Sequence, residues 1–458
     1  MKRLAVQAFP ALTLCSALAA ATLPFAAVAA VPAAEAAALK TTLTPAGGEV
    51  AGNTDGSIPA YTGGYKEPYA GTPGRRRPDP FAADKPVFSI TPQNAAQHAD
   101  KLSVGTLELL KKHPDYRLDV YKTQRTARML PEVADRTFQN ATKTKLVSKG
   151  DELVPEGYQG GFPFPIPKTG EEAMFNHILR VRGDNLVFDT RAYLVTADGK
   201  RTMISESEAL TRGPTGLAGF KAEGWDGTYD MLRINTLAPV IRAGEQLVVR
   251  ENLDHSKSEI YAYLPGQRRV RRLPALCCDS PSAATAGIAN VDDTGVWSGR
   301  LSRFDWKLIG KKELYVPYNT NRFNVPPRDF DVIGERFLNP QHVRWELHRV
   351  WVVEAALKEG QRHTSPKSVY YLDEDTWQAV IADRWDAKGQ LWKHSFVLPQ
   401  VFPDLQWTAG VQFGFYDLLS NTFIINNIMN EKKAQMRHAP DLPESTWRPE
   451  AMAGTGVR

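Results

Sequence analysis

The chain of 458 residues has only three cysteines, and just Cys277 and Cys278 lie beyond its N-terminal segment. Adjacent cysteines cannot tie distant segments together, so a disulfide framework is excluded as the basis of the fold. The two can form a vicinal disulfide or remain thiols, and neither is expected to carry chemistry. Charge of one sign is also lacking. Against 56 Lys and Arg stand 51 Asp and Glu, a net charge of +5. Nucleic-acid binding wants a concentrated basic surface, which this balance does not supply. The motifs H-E-x-x-H, G-x-S-x-G, G-x-x-x-x-G-K-[ST], G-x-G-x-x-G and C-x-x-C are missing, and no catalytic residue, metal or cofactor is assigned. Beyond the N-terminus no apolar run reaches membrane-spanning length. No internal repeat of fixed period stands out.

What is present begins at the first residue. Met1-Lys2-Arg3 is a short positive segment, and Leu4 to Ala30 carries no charge. A-x-A sites follow at Ala27-Val28-Ala29 and Ala34-Glu35-Ala36. This layout predicts a cleavable signal peptide over residues 1–29 and a periplasmic mature protein. Leu14, directly before Cys15, is too bulky for lipoprotein processing, so Cys15 is expected to leave with the signal. Loss of Lys2 and Arg3 would bring the net charge from +5 to +3.

Residues 30–90 read as an extended Gly/Pro-rich arm and residues 91–458 as a single β-rich domain with helical cover. Thr91-Pro92 predicts a helix start, Ser103 caps a second helix, and Pro131 opens a third. Thr169 caps a short helix with Glu171 and Glu172 in its first turn. From about Leu179 the pattern turns to β. Asp198-Gly199 and Pro265-Gly266-Gln267 read as hairpin turns. Val343 to Glu354 is the clearest strand, followed by Val369 to Leu372, Trp377 to Trp385 and Leu391 to Val397. These strands predict an antiparallel meander whose apolar face must be covered.

Several polar groups invite a chemical reading. His342 and Glu346 would lie about 13 Å apart on one strand face, too far to share a metal. Glu346 and His348 are closer, but Arg344 shares their face, so this reads as an exposed, salt-bridged row. Asp292-Asp293 and Asp305 could serve as paired acids, although aspartates in a Gly/Ser/Ala-rich loop ordinarily make turns. Arg268, Arg269, Arg271 and Arg272 form either a solvated strand face or an anion-binding row, with Arg269 and Arg271 the candidates for a head group or partner. Eight tryptophans, from Trp297 to Trp407, fall in the second half. They either pack a core or line an apolar cavity. In the cavity reading Tyr261, Tyr263, Trp345 and Trp351 are the expected ligand-facing residues.

Several stretches resemble an exported proteobacterial family, DUF1329, often labelled outer-membrane lipoprotein-sorting protein. They are Leu43-Thr44-Pro45 with Gly52 to Pro59 and Tyr61 to Gly64; Gly161 to Pro165 with Glu172 to His177; Tyr263 to Arg272; Asp305 to Lys312; and Arg344 to Glu354. The chain departs from the pattern at Leu273 to Pro281, which makes the cysteines local variation. The resemblance implies an α+β, β-dominated fold of the LolA and LolB type. In that fold a curved antiparallel sheet wraps, as an unclosed barrel, on helices and encloses space for acyl chains. It also implies company: a transporter of the resistance-nodulation-division type and an outer-membrane protein. The leading expectation is a periplasmic carrier for a lipid, lipoprotein or other hydrophobic molecule. The alternative is a non-catalytic adaptor of an envelope transport complex, and a hydrolase without a recognisable motif comes third.

Overall fold

The computed structural model describes residues 30–458 apart from 184, 274–277, 440–441 and 456–458. The expected signal peptide, Cys15 and Cys277 lie outside the described residues; Cys278 is disulfide-bonded. The strands in chain order are β1 (Phe88–Ile90), β2 (Leu118–Val120), β3 (Lys145–Lys149), β4 (Glu152–Glu156), β5 (Leu186–Val195), β6 (Arg201–Arg212), β7 (Thr228–Ala238), β8 (Gln246–Asn252) and β9 (Glu259–Leu264). They continue as β10 (Arg269–Arg272), β11 (Phe304–Pro317), β12 (Arg344–Leu357), β13 (Lys367–Asp373), β14 (Ala379–Trp385), β15 (Leu391–Phe402), β16 (Trp407–Asp417), β17 (Thr422–Ile428) and β18 (Arg437–His438). All but the β3–β4 hairpin join one sheet of 16 strands. Its order is β1-β2-β12-β13-β14-β15-β16-β17-β5-β6-β7-β8-β9-β10, with β11 also beside β12 and β18 beside β5. Every pairing is antiparallel except β2 with β12. Register shifts at Leu308/Gly310, Leu398/Pro399 and Ala192/Tyr193 bend the strands, as bulges do. The ends do not pair, so the sheet is curved and unclosed.

Four helices lie along the first part of the chain: α1 (Ala33–Ala36), α2 (Val104–Lys112), α3 (Pro131–Lys143) and α4 (Gly170–Ile178). The expected caps form. Thr106 N–H donates to Ser103 Oγ (3.1 Å), Pro131 is the first residue of α3, and Glu172 N–H donates to Thr169 Oγ1 (3.3 Å). The helix expected after Thr91 is instead a 3-10 stretch, Ala95–Lys101. The Asn94 side chain accepts from Thr91 N–H (2.7 Å) and donates to Ser89 O (3.0 Å), holding the local chain in a turn. Helix α4 is packed inside the curve of the sheet, against β11 and β12. Its His177 is wholly buried: Nδ1 accepts from Ala379 N–H (3.0 Å) and Nε2 donates to Trp297 O (3.0 Å). Burial and the charge of Arg180 hold this imidazole neutral, well below the usual histidine range.

The row expected on the outer face of β12 is salt-bridged but not exposed. Arg344, Glu346 and His348 are at most 2% accessible. Arg344 Nε donates to Glu346 Oε1 (2.5 Å), and His348 Nε2 lies 3.0 Å from Glu346 Oε2. The cover comes from the arm and from nearby loops. Asp84 pairs with Arg344 (2.7 Å), Asn319 donates to Glu346 (2.9 Å), and the Tyr318 ring stacks on His348 at 3.8 Å. Alternation cannot reveal such a strand, because both of its faces are enclosed.

Residues 30–90, expected to be extended, begin with α1 and a 3-10 turn (Ala37–Lys40) and are then irregular and pinned to the sheet. Trp377 Nε1 donates to Ala46 O (2.7 Å), Arg125 Nη1 donates to Glu49 O (2.7 Å), and Arg349 Nη1 donates to Ala51 O (3.1 Å). Arg125 also grips Asp375 through two bonds, of 2.8 and 2.7 Å, and Lys311 bridges Glu49 to Glu374. Removing one member of a buried pair leaves the other charge stranded. Arg125→Met is expected to lower stability by about 3–5 kcal/mol in urea unfolding. Asp373 is buried beside Asp375, and both effects push its carboxyl up from 3.8 to about 6, against the pull of His348. The folded state therefore favours its protonated form. That contribution is complete below the unfolded value of about 4 and disappears as pH rises through about 6. A melting-temperature series for wild type and Asp373→Asn should diverge across this window, with the variant losing less as pH rises.

Candidate functional site: a cavity inside the sheet

The two halves of the sheet treat their concave side differently. In one half α4, Trp297, Trp306 and Tyr370 fill the space, with the Trp297 and Trp306 rings 5.3 Å apart. In the other half a cavity of about 300 Å³ is left open. Alternate residues of several strands face it: Leu186, Phe188 and Ala192 of β5; Ser205, Ser207 and Ala209 of β6; Leu232 and Ile234 of β7; Leu247 and Val249 of β8; Ile260 of β9; and Val411, Phe413 and Phe415 of β16. Ala192, Ser205, Ser207 and Ala209 are too small to fill the curve, and that is the local reason the space exists. The lining is more apolar than polar, with a sizeable polar minority that includes Thr190, Ser207, Gln378 and Asn426.

Residues 282–298 cross one side of the cavity. They are clasped at their base. Asp293 pairs with Arg384 (2.8 Å) and Lys393 (2.8 Å), while Asp292 pairs with His363 (2.7 Å). Burial pushes the Asp293 carboxyl up, but Arg384 and Lys393 outweigh it and hold it below the ordinary range. Asp293 also accepts from Asn290 N–H (2.9 Å), closing the turn. These aspartates brace the loop and are not disposed as an acid/base pair. Further out, Arg242 donates to Ala283 O (2.6 Å) and Ser205 to Ala284 O (3.3 Å).

The cavity has one charged end, just past α4. Arg180 Nη1 donates to His177 O (2.5 Å) and Arg182 Nη2 to Ile178 O (3.0 Å), satisfying carbonyls of the last helical turn. Arg182 also pairs with Asp230 (2.8 Å). Glu251 lines this end, and its carboxylate accepts from Ser258 Oγ (3.0 Å). Burial raises the Glu251 carboxyl above its ordinary value.

The residues expected to face a ligand lie elsewhere. On β9 it is Ile260 that points into the cavity. Tyr263 and Tyr261 occupy the reverse face, against Val248 and Met452. Trp345 is buried in the core, beside a void of about 20 Å³ with Tyr116, Phe396 and Tyr416. Trp351 stacks on Trp377 at 5.8 Å. The strands β9 and β12 are far apart in the sheet order, so the structure does not bring these four residues together. Arg269 and Arg271 are exposed on β10, away from the cavity lining. Sequence reasoning missed the small residues at every second position of β6 and the two arginines after α4.

Other polar constellations are accounted for by packing. Asp383 Oδ1 lies 2.8 Å from His394 Nδ1, and His394 Nε2 lies 3.4 Å from Thr106 Oγ1. That order suggests a nucleophile with its base, but Thr106 is wholly buried. Gly105 N–H donates to Asp383 (3.0 Å), so the cluster braces the start of α2. Among the described residues no group of three or more His, Cys, Asp or Glu is placed to hold a metal.

A family model matches residues 89–453. The chain belongs to that family, the proteins of unknown function DUF1329. It is also 38% identical over 437 residues to "Uncharacterized protein PA3922" of Pseudomonas aeruginosa, covering 94% of this chain and 95% of that one. Among solved structures, the DUF1329 chain is similar to a DUF1329 family protein from Desulfovibrio piger, with 15% identity, a TM-score of 0.38, and coverage of 59% of this chain and 92% of that one. It is also similar to the LolA superfamily protein NE2245 from Nitrosomonas europaea, with 12% identity, a TM-score of 0.36, and coverage of 62% and 100%.

The placement of the cavity predicts a contrast between two variants. Ala209→Phe should fill the cavity and weaken uptake of a fluorescent acyl probe by about tenfold or more while the protein stays folded. Trp345→Ala should cost about 3–5 kcal/mol in urea unfolding with probe affinity unchanged.

Proposed function

We propose that this protein is a carrier for a lipid or another hydrophobic molecule, sheltering an acyl chain inside its sheet. The observation that carries this reading is the cavity of about 300 Å³, faced by alternate apolar residues of β5–β9 and β16. Burial alone supplies affinity there, at about 0.8 kcal/mol for each CH₂ removed from water. No reaction centre is needed for such a task. The signal-peptide pattern of residues 1–29 supports an exported, periplasmic protein. Among the described residues no helix is long and apolar enough to cross a membrane. A carrier of this kind would deliver its cargo to an envelope transporter, for which the resistance-nodulation-division type is the candidate partner. The adaptor reading through the arm is less well supported, since freeing the arm would break the bonds of Arg125 and Trp377 to it.

The test is direct. Protein purified from its own cells is extracted with organic solvent and analysed by mass spectrometry, and the stripped protein is titrated with a fluorescent fatty acyl probe. Co-purifying lipid and saturable uptake are expected. No bound lipid together with no uptake would remove the carrier reading.

A further inference from the structure

The charges at this end of the cavity are unevenly paired. Arg180 and Arg182 both reach it, but Asp230 pairs only with Arg182. Glu251, the other carboxyl there, accepts from Ser258 Oγ (3.0 Å) and forms an ion pair with neither arginine. Among the described residues no carboxylate forms an ion pair with Arg180; its one hydrogen bond is to the His177 carbonyl. Its guanidinium lies between the end of α4 and the crossing loop, where a Cβ at Gly295 would sit 3.5 Å from Nη2. The remaining donors of the planar guanidinium are thus free for a ligand at the rim of an apolar chamber. Arg180 is half-buried; burial and the like charge of Arg182 press against its cation, and the Asp230 carboxylate, engaged by Arg182, offsets them only in part.

We infer that the cavity selects an amphiphile with an anionic oxygen head, a carboxylate or a phosphate, whose head pairs with Arg180 while its chain lies along β6–β8. This rests on the carrier reading above and names the class of cargo. Two anionic oxygens match the guanidinium fork, and the pair forms out of bulk water, where charge-assisted bonds are strongest. An uncharged head of the same chain length would leave Arg180 as unpaired as before. A cationic head would add a third positive charge beside the two arginines.

Stripped full-length protein is titrated with palmitate, hexadecanol, hexadecyl phosphate and hexadecyltrimethylammonium, each displacing the same neutral acyl probe. Wild type should bind palmitate or hexadecyl phosphate about tenfold or more tightly than hexadecanol, and the ammonium compound most weakly. Whichever anion binds tighter identifies the head as carboxylate or phosphate. Arg180→Met should bring both anions down to the affinity of the alcohol, and Arg180→Lys should keep part of the preference. Equal affinity of alcohol and anions in wild type overturns the inference and leaves the carrier reading standing. A preference that survives Arg180→Met in a cooperatively melting variant also overturns it. Failure of the probe itself to bind removes the carrier reading instead. The comparison on wild type decides the matter even if a variant does not fold.

Discussion

Charges on a strand that is covered on both sides must all be paired, and β12 imposes that condition on the rest of the molecule. Its inner face packs on the core, and its outer face carries Arg344, Glu346 and His348 with almost no access to water. An unpaired charge there would cost several kcal/mol, so partners must be brought to it. The arm brings Asp84, the segment after β2 brings the backbone of Gln124, and the segment after β11 brings Tyr318 and Asn319. The same logic joins Arg125 to Asp375 and Lys311 to Glu49 and Glu374. The arm is irregular in conformation because it follows the positions of these charges and makes almost no backbone ladder of its own.

That filled half sets up the hollow one. Where α4 and large aromatic side chains fill the concave side, the sheet is solid. Where alanine and serine take the inward positions, the same curvature leaves a chamber. The transition occurs just past the C-terminal end of α4, and there the arginines stand. They complete the helix by binding its last carbonyls, and they place positive charge at the threshold of the chamber.

Helices α2, α3 and α4 were legible in the sequence because their signals are local. Ser103, Pro131 and Thr169 act within one turn, whatever surrounds them. The hairpins at Gly199 and Pro265–Gln267 were legible for the same reason: φ is +84° at Gly199 and +48° at Arg268. Strands β7, β11, β16 and β17 were not anticipated. Strand β16 carries Gly410 and Gly414, which dilute the β signal, and β11 is broken by a bulge at Gly310. The cavity was foreseen as a possibility, but its wall was not. Period two separates Ile260 from Tyr261 and Tyr263 without saying which side is enclosed, and the larger aromatic face turned out to pack on the C-terminal segment. Arg180 carries no sequence signal beyond that of an ordinary basic residue following a helix.

An open sheet exposes a free edge, and a free edge recruits other strands. Strand β10 is one such edge, only four residues long, with Arg269, Arg271 and Arg272 exposed along it. A second copy approaching in register would set like charges side by side. Like charges along this edge oppose strand addition by a second copy, so the sheet can stay unclosed there without offering an inviting edge.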